Sequence, residues 1–478
     1  MTLYANLIGG EWVPTAKTRP NVNPSDTNDI IGDFPSSDAS QVSDAIAAAR
    51  AAFPAWSTSP IQKRSEILDT AGSEILARRE ELGALLAREE GKTLPEAIGE
   101  VVRAGDIFKF MAGEVLRKPG EILESTRPGL GVEITREPVG VIGMITPWNF
   151  PIAIPAWKAA PALAYGNCVV MKPAELVPAS ALALADILKR AGLPDGVFNL
   201  VMGEGSTVGQ AILDSQDIDA ITFTGSQGVG TRIATIAAQR MIRCQLEMGG
   251  KNPLVIMNDA DLDIAVDCAL NGSFYATGQR CTASSRLVVQ SGIHDEFVDR
   301  LIRRMQALNV GHALEAGTHI GPVVDQRQLN NNLRYVDIAR NEGAELVQGG
   351  AQVERATPGF YMEPALFVGT HNQMRINREE VFGPVASVVE VTDFDEALSM
   401  ANDTEFGLSS GIVTTSLKYA TEFKRRSQAG MVMVNVPTAG VDPHVPFGGR
   451  KASSFGPREQ GRYAVEFYTT VKTAYTRA

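Results

Sequence analysis

The stretch VGVIGMITPWNFPIAIPAWKAAPALAYGNCVVMKP, residues 139–173, decides the fold. Its first seven residues are apolar and rich in Val and Ile, the composition of a strand covered on both faces. PAWKAAPALAYG (155–166) reads as a helix closed by a glycine, and CVVMKP (168–173) as a second buried strand. Strand, helix and strand in that order predict a βαβ unit with parallel strands. The rhythm continues outward through SALALADILKRAG (180–192), VFNLVMG (197–203), STVGQAILDS (206–215), AITFTGS (220–226) and VGTRIATIAAQ (229–239). This alternation predicts a parallel sheet with helices on both faces, which takes a nucleotide at its strand C-termini.

A second alternating region begins after LEMGGKNPLVIM (246–257) and runs through RLVVQ (286–290), IHDEFVDRLIRRMQAL (293–308) and VASVVEVTDFDEALSMAND (385–403). It predicts another α/β lobe. Upstream, IGGEWV (8–13) is strand-like, residues 36–56 carry a capped helical pattern, and residues 60–117 read as helical with breaks near Gly91 and Pro95. Residues 120–151 show alternation, β-branched residues and turn signals, and the tail from 464 to 478 is strand-like.

The chain of 478 residues is longer than one domain usually holds, and its 44% apolar and 21% charged content is that of a globular protein. A net charge of −11 argues against a nucleic-acid backbone as the main partner. The four cysteines, Cys168, Cys244, Cys268 and Cys281, are too scattered for a disulfide framework, which fits a reducing cytosol. MTLYANLIGGEWVPT lacks a basic segment ahead of an apolar run, and no apolar stretch is long enough to span a bilayer. A cytoplasmic location without a membrane partner is expected.

The chemistry centres on SFYATGQRCTASSR (273–286), where Cys281 has Gly278, Gln279, Arg280 and Thr282 around it rather than apolar neighbours. A reactive thiolate needs an electropositive, partly open setting, and Arg280 predicts one. By itself the stretch leaves a nucleophile and an idle surface thiol open. None of the histidines His294, His312, His319, His371 and His444 falls in a triad or metal spacing, and no HExxH or paired CxxC occurs, so no metal is expected. Glu247, between Leu246 and Met248 and ahead of two glycines, would serve as a general base if burial raised its pKa. An ion pair linking two lobes is the alternative for it.

TPWNFP (146–151), MKPAE (171–175), FTGS (223–226), LEMGGK (246–251), GQRC (278–281), EEVFGPV (379–385) and PFGGRKASSFG (446–456) occur in this order along nearly the whole chain. Together they resemble the aldehyde dehydrogenase superfamily. The resemblance implies an α/β fold with a Rossmann-type cofactor domain (1–119 and 140–248), an α/β catalytic domain (249–446) and a protruding β oligomerisation segment (120–139 and 447–478). It implies a homodimer or homotetramer.

The same resemblance implies oxidation of a small aldehyde to a carboxylic acid with NAD or NADP. Cys281 matches the nucleophile, which forms a thiohemiacetal and then a thioester. Asn149 matches the oxyanion-hole amide, Glu247 the base that activates water, and Lys158 a lysine near the oxyanion site. Cofactor contacts are implied for Ile145, Thr146, Pro147, Trp148, Lys172, Glu175, Gly205, Gly209, Phe223, Thr224, Gly225, Ser226, Val229, Met248, Glu380 and Phe382. A carboxylate at Glu175 accepts a hydrogen bond from a ribose 2′-OH and repels a 2′-phosphate, which favours NAD.

The substrate pocket maps onto Phe150, Ile154, Trp157, Tyr275, Arg280, Thr282, Val441, His444 and Phe447. Arg280 implies an aldehyde that carries a carboxylate at its far end, with a structural or solvent-exposed arginine as the alternative, and loop packing is the alternative for His444. The tail, residues 435–478, is similar to the branch that oxidises α-ketoglutarate semialdehyde (2,5-dioxopentanoate). Succinate, glutarate and aminoadipate semialdehydes, or aldehydes in general, are the alternatives within the family. A non-catalytic structural protein on the same fold and a cysteine hydrolase are the alternatives outside it.

Overall fold

The computed structural model describes residues 4–117 and 120–477. Residues 118 and 119, where the first expected domain boundary falls, lie outside the described residues. The strand that opens the decisive stretch, Val141–Ile145, pairs in parallel with Cys168–Lys172 on one side and Ala220–Thr224 on the other. Phe198–Leu200 and Arg243–Glu247 extend the parallel set outward. The spatial order is Phe198–Leu200, Cys168–Lys172, Val141–Ile145, Ala220–Thr224, Arg243–Glu247. The chain therefore lays three strands in one direction and then crosses back over the first. That reversal, between Val141–Ile145 and Ala220–Thr224, opens a crevice beyond the strand C-termini.

An antiparallel hairpin, Asn6–Ile8 with Glu11–Val13, closes one edge of this sheet, and Ser454–Phe455 closes the other. The tail thus divides. Part of it completes the first sheet, and Thr469–Arg477 forms a separate antiparallel sheet with Leu130–Pro138 and Glu121–Glu124. Ile122, Val471 and Tyr475 are exposed on that sheet.

A second sheet of seven strands is built from Asn252–Ile256 onward, and all but its Glu345–Gln348 edge strand run parallel. Its central strands are buried along most of their length, as helices on both faces require.

The helical region at 60–117 resolves into Ile61–Ala77, Arg79–Glu90 and Leu94–Glu114. One break falls at Arg78, which the sequence pattern did not signal. Gly91, at φ 98°, ends the second helix in the left-handed conformation that favours glycine. Pro95 is not a break. It occupies the first turn of the third helix, where proline lacks a needed N–H anyway, behind a capping box of Thr93 and Glu96. This third helix places Glu96, Glu100 and Arg103 on one stripe, at spacings of four and three residues, facing the catalytic region.

Candidate active site

Cys281 follows a backbone run that few L-residues adopt. Ala276, Thr277 and Gly278 all have positive φ, at 51°, 56° and 63°. Such strain persists only where the surroundings enforce it. A Cβ at Gly278 would overlap the Gly383 carbonyl. The run is tied down by its own polar groups. Gln279 Oε1 accepts from Val324 N at 3.0 Å, and Asn252 Nδ2 donates to Cys281 O at 2.8 Å.

Asn149 is buried beside this run. Its Nδ2 donates to Gln279 O at 3.0 Å, and Lys92 Nζ donates to its backbone oxygen at 2.7 Å. The amide is fixed in orientation, with a second N–H left for an oxygen near Cys281.

Two cavities meet at Cys281. The first, of about 270 Å³, is lined by Pro147, Trp148 and Asn149, by Thr224, Gly225 and Ser226, by Met248 and Gly249, and by Gln328, Asn331, Glu380, Val381 and Phe382. It opens at the point where the strand order reverses. The helix Gln227–Arg240 begins there with no side-chain cap, so its first N–H groups stay free for an anion. Thr224 Oγ1 is buried without a partner. A Cβ at Gly225 would strike the Phe223 ring, so the loop lies tight on the strand below it. Trp148 and Phe382 meet edge to face, with ring centroids 5.3 Å apart.

A flat heteroaromatic ring and a pyrophosphate fit these walls. Lys172 and Glu175 stand at the far corner, where Gly205 N donates to Glu175 Oε1 at 2.8 Å and Arg19 Nη1 pairs with Glu175 Oε2 at 3.1 Å. A bound nicotinamide coenzyme would supply the hydride acceptor.

The second cavity, of about 240 Å³, is lined by Phe150, Trp157, Ala276, Arg280, Cys281, Thr282, Ala439, Gly440, Val441 and Phe447, with Lys92, Glu96 and Arg103 at its polar end. Trp157 and Phe447 stack at 5.3 Å.

The electrostatics differ from the sequence expectation. Burial pushes the Cys281 thiol up to about 12, and the neighbouring carboxyls of Glu380 and Glu247 push in the same direction. The charge of Arg280 acts on Cys281 but does not offset these effects, and its guanidinium is bound by Glu96 at 3.4 Å and by Asn271. Burial also holds the Arg280 guanidinium below its ordinary value.

Glu247, buried at the end of its strand, is raised well above a normal carboxyl by burial and by the charge of Glu459. Ser454 Oγ donates to its Oε2 at 2.5 Å. Glu380 is raised to about 7 by burial, although Gly250 N donates to it at 2.8 Å. Two carboxyls held above their ordinary value by burial, Glu380 at about 7, therefore flank a thiol pushed up to about 12.

Not every expected residue reaches a cavity. Lys158 is fully buried, donates to Thr222 Oγ1 at 2.9 Å and pairs with Glu459. It lines neither cavity and lies on the Glu247 side of the site, not at the oxyanion. Ile154 is packed in the core of the first lobe, and Tyr275 packs against the core of the second. His444 is exposed, with its ring 6.5 Å from Phe110, and lines neither of these two cavities. Val229 is exposed on its helix, and Ile145, Phe223 and Gly209 lie behind the walls.

Sequence motifs missed Lys92, Glu96, Arg103, Gln328, Asn331, Ser454 and Glu459. Only the capping box around Glu96 left a local signal. Glu459 lies 301 positions from the lysine it pairs with.

The aldehyde dehydrogenase family pattern matches residues 12–474. The chain belongs to that family, and the fold and the two cavities are those of an enzyme that oxidises an aldehyde with a nicotinamide coenzyme. More particularly, it is 42% identical over 478 residues to an alpha-ketoglutaric semialdehyde dehydrogenase of Bacillus subtilis, covering 99% of this chain and 98% of that one. It is 43% identical to an alpha-ketoglutarate semialdehyde dehydrogenase of Haloferax volcanii, over 98% of each chain. A crystal structure of betaine aldehyde dehydrogenase from Staphylococcus aureus, in complex with NAD+, superposes with a TM-score of 0.97 at 35% identity, covering 99% of this chain and 95% of that one.

Proposed function

We propose that the protein oxidises α-ketoglutarate semialdehyde to α-ketoglutarate, with NAD preferred over NADP. The observation that carries this reading is the second cavity. It joins aromatic side chains at Cys281 to Lys92, Arg103 and Arg280, and with Lys92 paired to Glu100 and Arg280 to Glu96 the Arg103 charge is left without an ion pair. A short aldehyde with a carboxylate at its far end is complementary to that arrangement. The names of the Bacillus and Haloferax relatives support the same substrate.

In this reading the Cys281 thiol passes its proton to a neighbouring carboxylate, Glu380 or Glu247, which returns it to solvent, and the sulfur adds to the aldehyde carbon. Asn149 Nδ2 and the Cys281 N–H hold the developing oxyanion, and donors of this kind are typically worth about 3–4 kcal/mol each. A nicotinamide coenzyme bound in the first cavity would accept the hydride whose loss turns the thiohemiacetal on Cys281 into a thioester. Glu247, turning from Ser454, takes a proton from water. The hydroxide adds to the thioester carbon, and the Cys281–carbon bond breaks to release the acid. Glu175 favours NAD through its carboxylate. The exposed three-stranded sheet offers an edge for a second copy, in keeping with a cytoplasmic homodimer or homotetramer.

The test is kcat/KM for α-ketoglutarate, succinate and glutarate semialdehydes against propanal and benzaldehyde, each with NAD and NADP. The α-keto substrate is expected to lead with NAD. Equal rates on the uncharged aldehydes would overturn the substrate reading, and no turnover of any aldehyde would return the structural-protein alternative.

A further inference from the structure

Three cations reach the polar end of the substrate cavity, and two are already matched. Lys92 Nζ donates to Glu100 Oε2 at 2.6 Å and to Asn149 O at 2.7 Å, and it lies 3.9 Å above the Phe150 ring. Arg280 has Glu96 and Asn271. The two acids of this face are equally committed. Glu100 Oε1 also accepts from Ile152 N and Ala153 N, and Glu96 accepts from Thr93 and from Ala276 N.

Arg103 is different. No carboxylate lies within ion-pair distance of it among the described residues, and its one hydrogen bond is to Gln460 Oε1 at 3.1 Å. Its guanidinium lies 5.5 Å from the Trp157 ring, a cation–π contact that orients it along the cavity wall. Its Nε is buried with no acceptor, and so is Nε2 of Gln460. Two adjacent buried donors and a guanidinium that Glu100 and Asp442 act on only from beyond ion-pair distance are costly at a substrate cavity unless something supplies oxygen acceptors.

We infer that Arg103, held in place by Gln460 and Trp157, is the residue that receives the substrate's carboxylate, and that Arg280 instead braces the loop of the nucleophile against Glu96. This inference rests on the proposed carboxylated substrate. It reassigns the specificity determinant from the residue next to Cys281 to one on the helix Leu94–Glu114.

The test measures kcat/KM for glutarate semialdehyde and for pentanal, which differ chiefly in the carboxylate. It uses wild type, Arg103→Met, Arg103→Lys and Arg280→Met. The ratio of the two values is the readout, so pentanal turnover reports on folding within the same preparation. The ratio should fall on the order of 100-fold in Arg103→Met, mostly through KM, and recover in part in Arg103→Lys, which keeps charge without the planar fork. An unchanged ratio in Arg103→Met, with the loss appearing in Arg280→Met, would overturn the assignment. A wild-type ratio near one would instead overturn the carboxylated substrate itself. Should Arg103→Met turn over neither aldehyde, the ratio in Arg103→Lys decides: an unaltered value overturns the assignment and a reduced one supports it.

Discussion

Lys158 and Glu459 form a buried ion pair across 301 positions of sequence, and Glu247 lies within reach of both charges. Glu459 raises the Glu247 carboxyl and Lys158 lowers it. Replacing one partner therefore moves the pH at which Glu247 becomes a base. Thioester hydrolysis rises with pH through that value. In Glu459→Gln the rising limb of the kcat–pH profile should move to lower pH, because a like charge is gone. In Lys158→Met it should move higher, and the orphaned Glu459 should lower stability by about 3–5 kcal/mol. Unmoved limbs in both variants would show that Glu247 does not limit hydrolysis.

Cys281 should behave as a hidden thiol in the free enzyme. With the thiol pushed up to about 12 by burial, Glu380 and Glu247, alkylation by iodoacetamide should climb steadily between pH 7 and 10 without a plateau. Glu380→Gln removes one neighbouring negative charge and should speed the reaction at neutral pH. A plateau near pH 7 in the wild type would mean that the thiolate is already stabilised without coenzyme.

The left-handed run before Cys281 has little tolerance. Gly278→Ala places a Cβ against the Gly383 carbonyl at φ 63°. The strain alone amounts to about 1–3 kcal/mol, and the overlap adds to it. A lower Tm together with a large loss of kcat is expected, whereas wild-type stability with wild-type kcat would mean that the loop adjusts freely.

Coenzyme choice should follow Glu175. Glu175→Gln removes the charge that repels a 2′-phosphate, and the adjacent Arg19 and Lys172 then present only positive charge. The ratio of NADP to NAD dissociation constants, read by fluorescence titration without substrate, should drop by about tenfold or more. An unaltered ratio would place selectivity elsewhere.

Much of this architecture was legible in residues 139–247, because strands buried on both faces announce themselves as short β-branched runs between helices. Local motifs carried Cys281, Asn149 and Glu247 for the same reason: backbone strain, tight glycines and fixed amides need particular residues in series. The rest depended on packing between distant segments. Nothing near Glu459 signals its lysine, and Arg103 matters only because Glu96 and Glu100, on the same helical stripe, are matched elsewhere. Sequence adjacency misled for Arg280, whose guanidinium is bound by Glu96. Ile154 and Tyr275, assigned to the pocket through the family resemblance, pack against lobe cores instead.

Covalent chemistry at Cys281, with Glu247 releasing the product, underlies the proposed reaction. The direct measurement mixes Glu247→Gln with α-ketoglutarate semialdehyde and NAD, follows reduced coenzyme, and locates any adduct by peptide mass spectrometry. A burst of one reduced coenzyme per site, then near-arrest with an acyl group on Cys281, is the predicted result. Sustained wild-type turnover with no adduct, or an adduct on another residue, would contradict it.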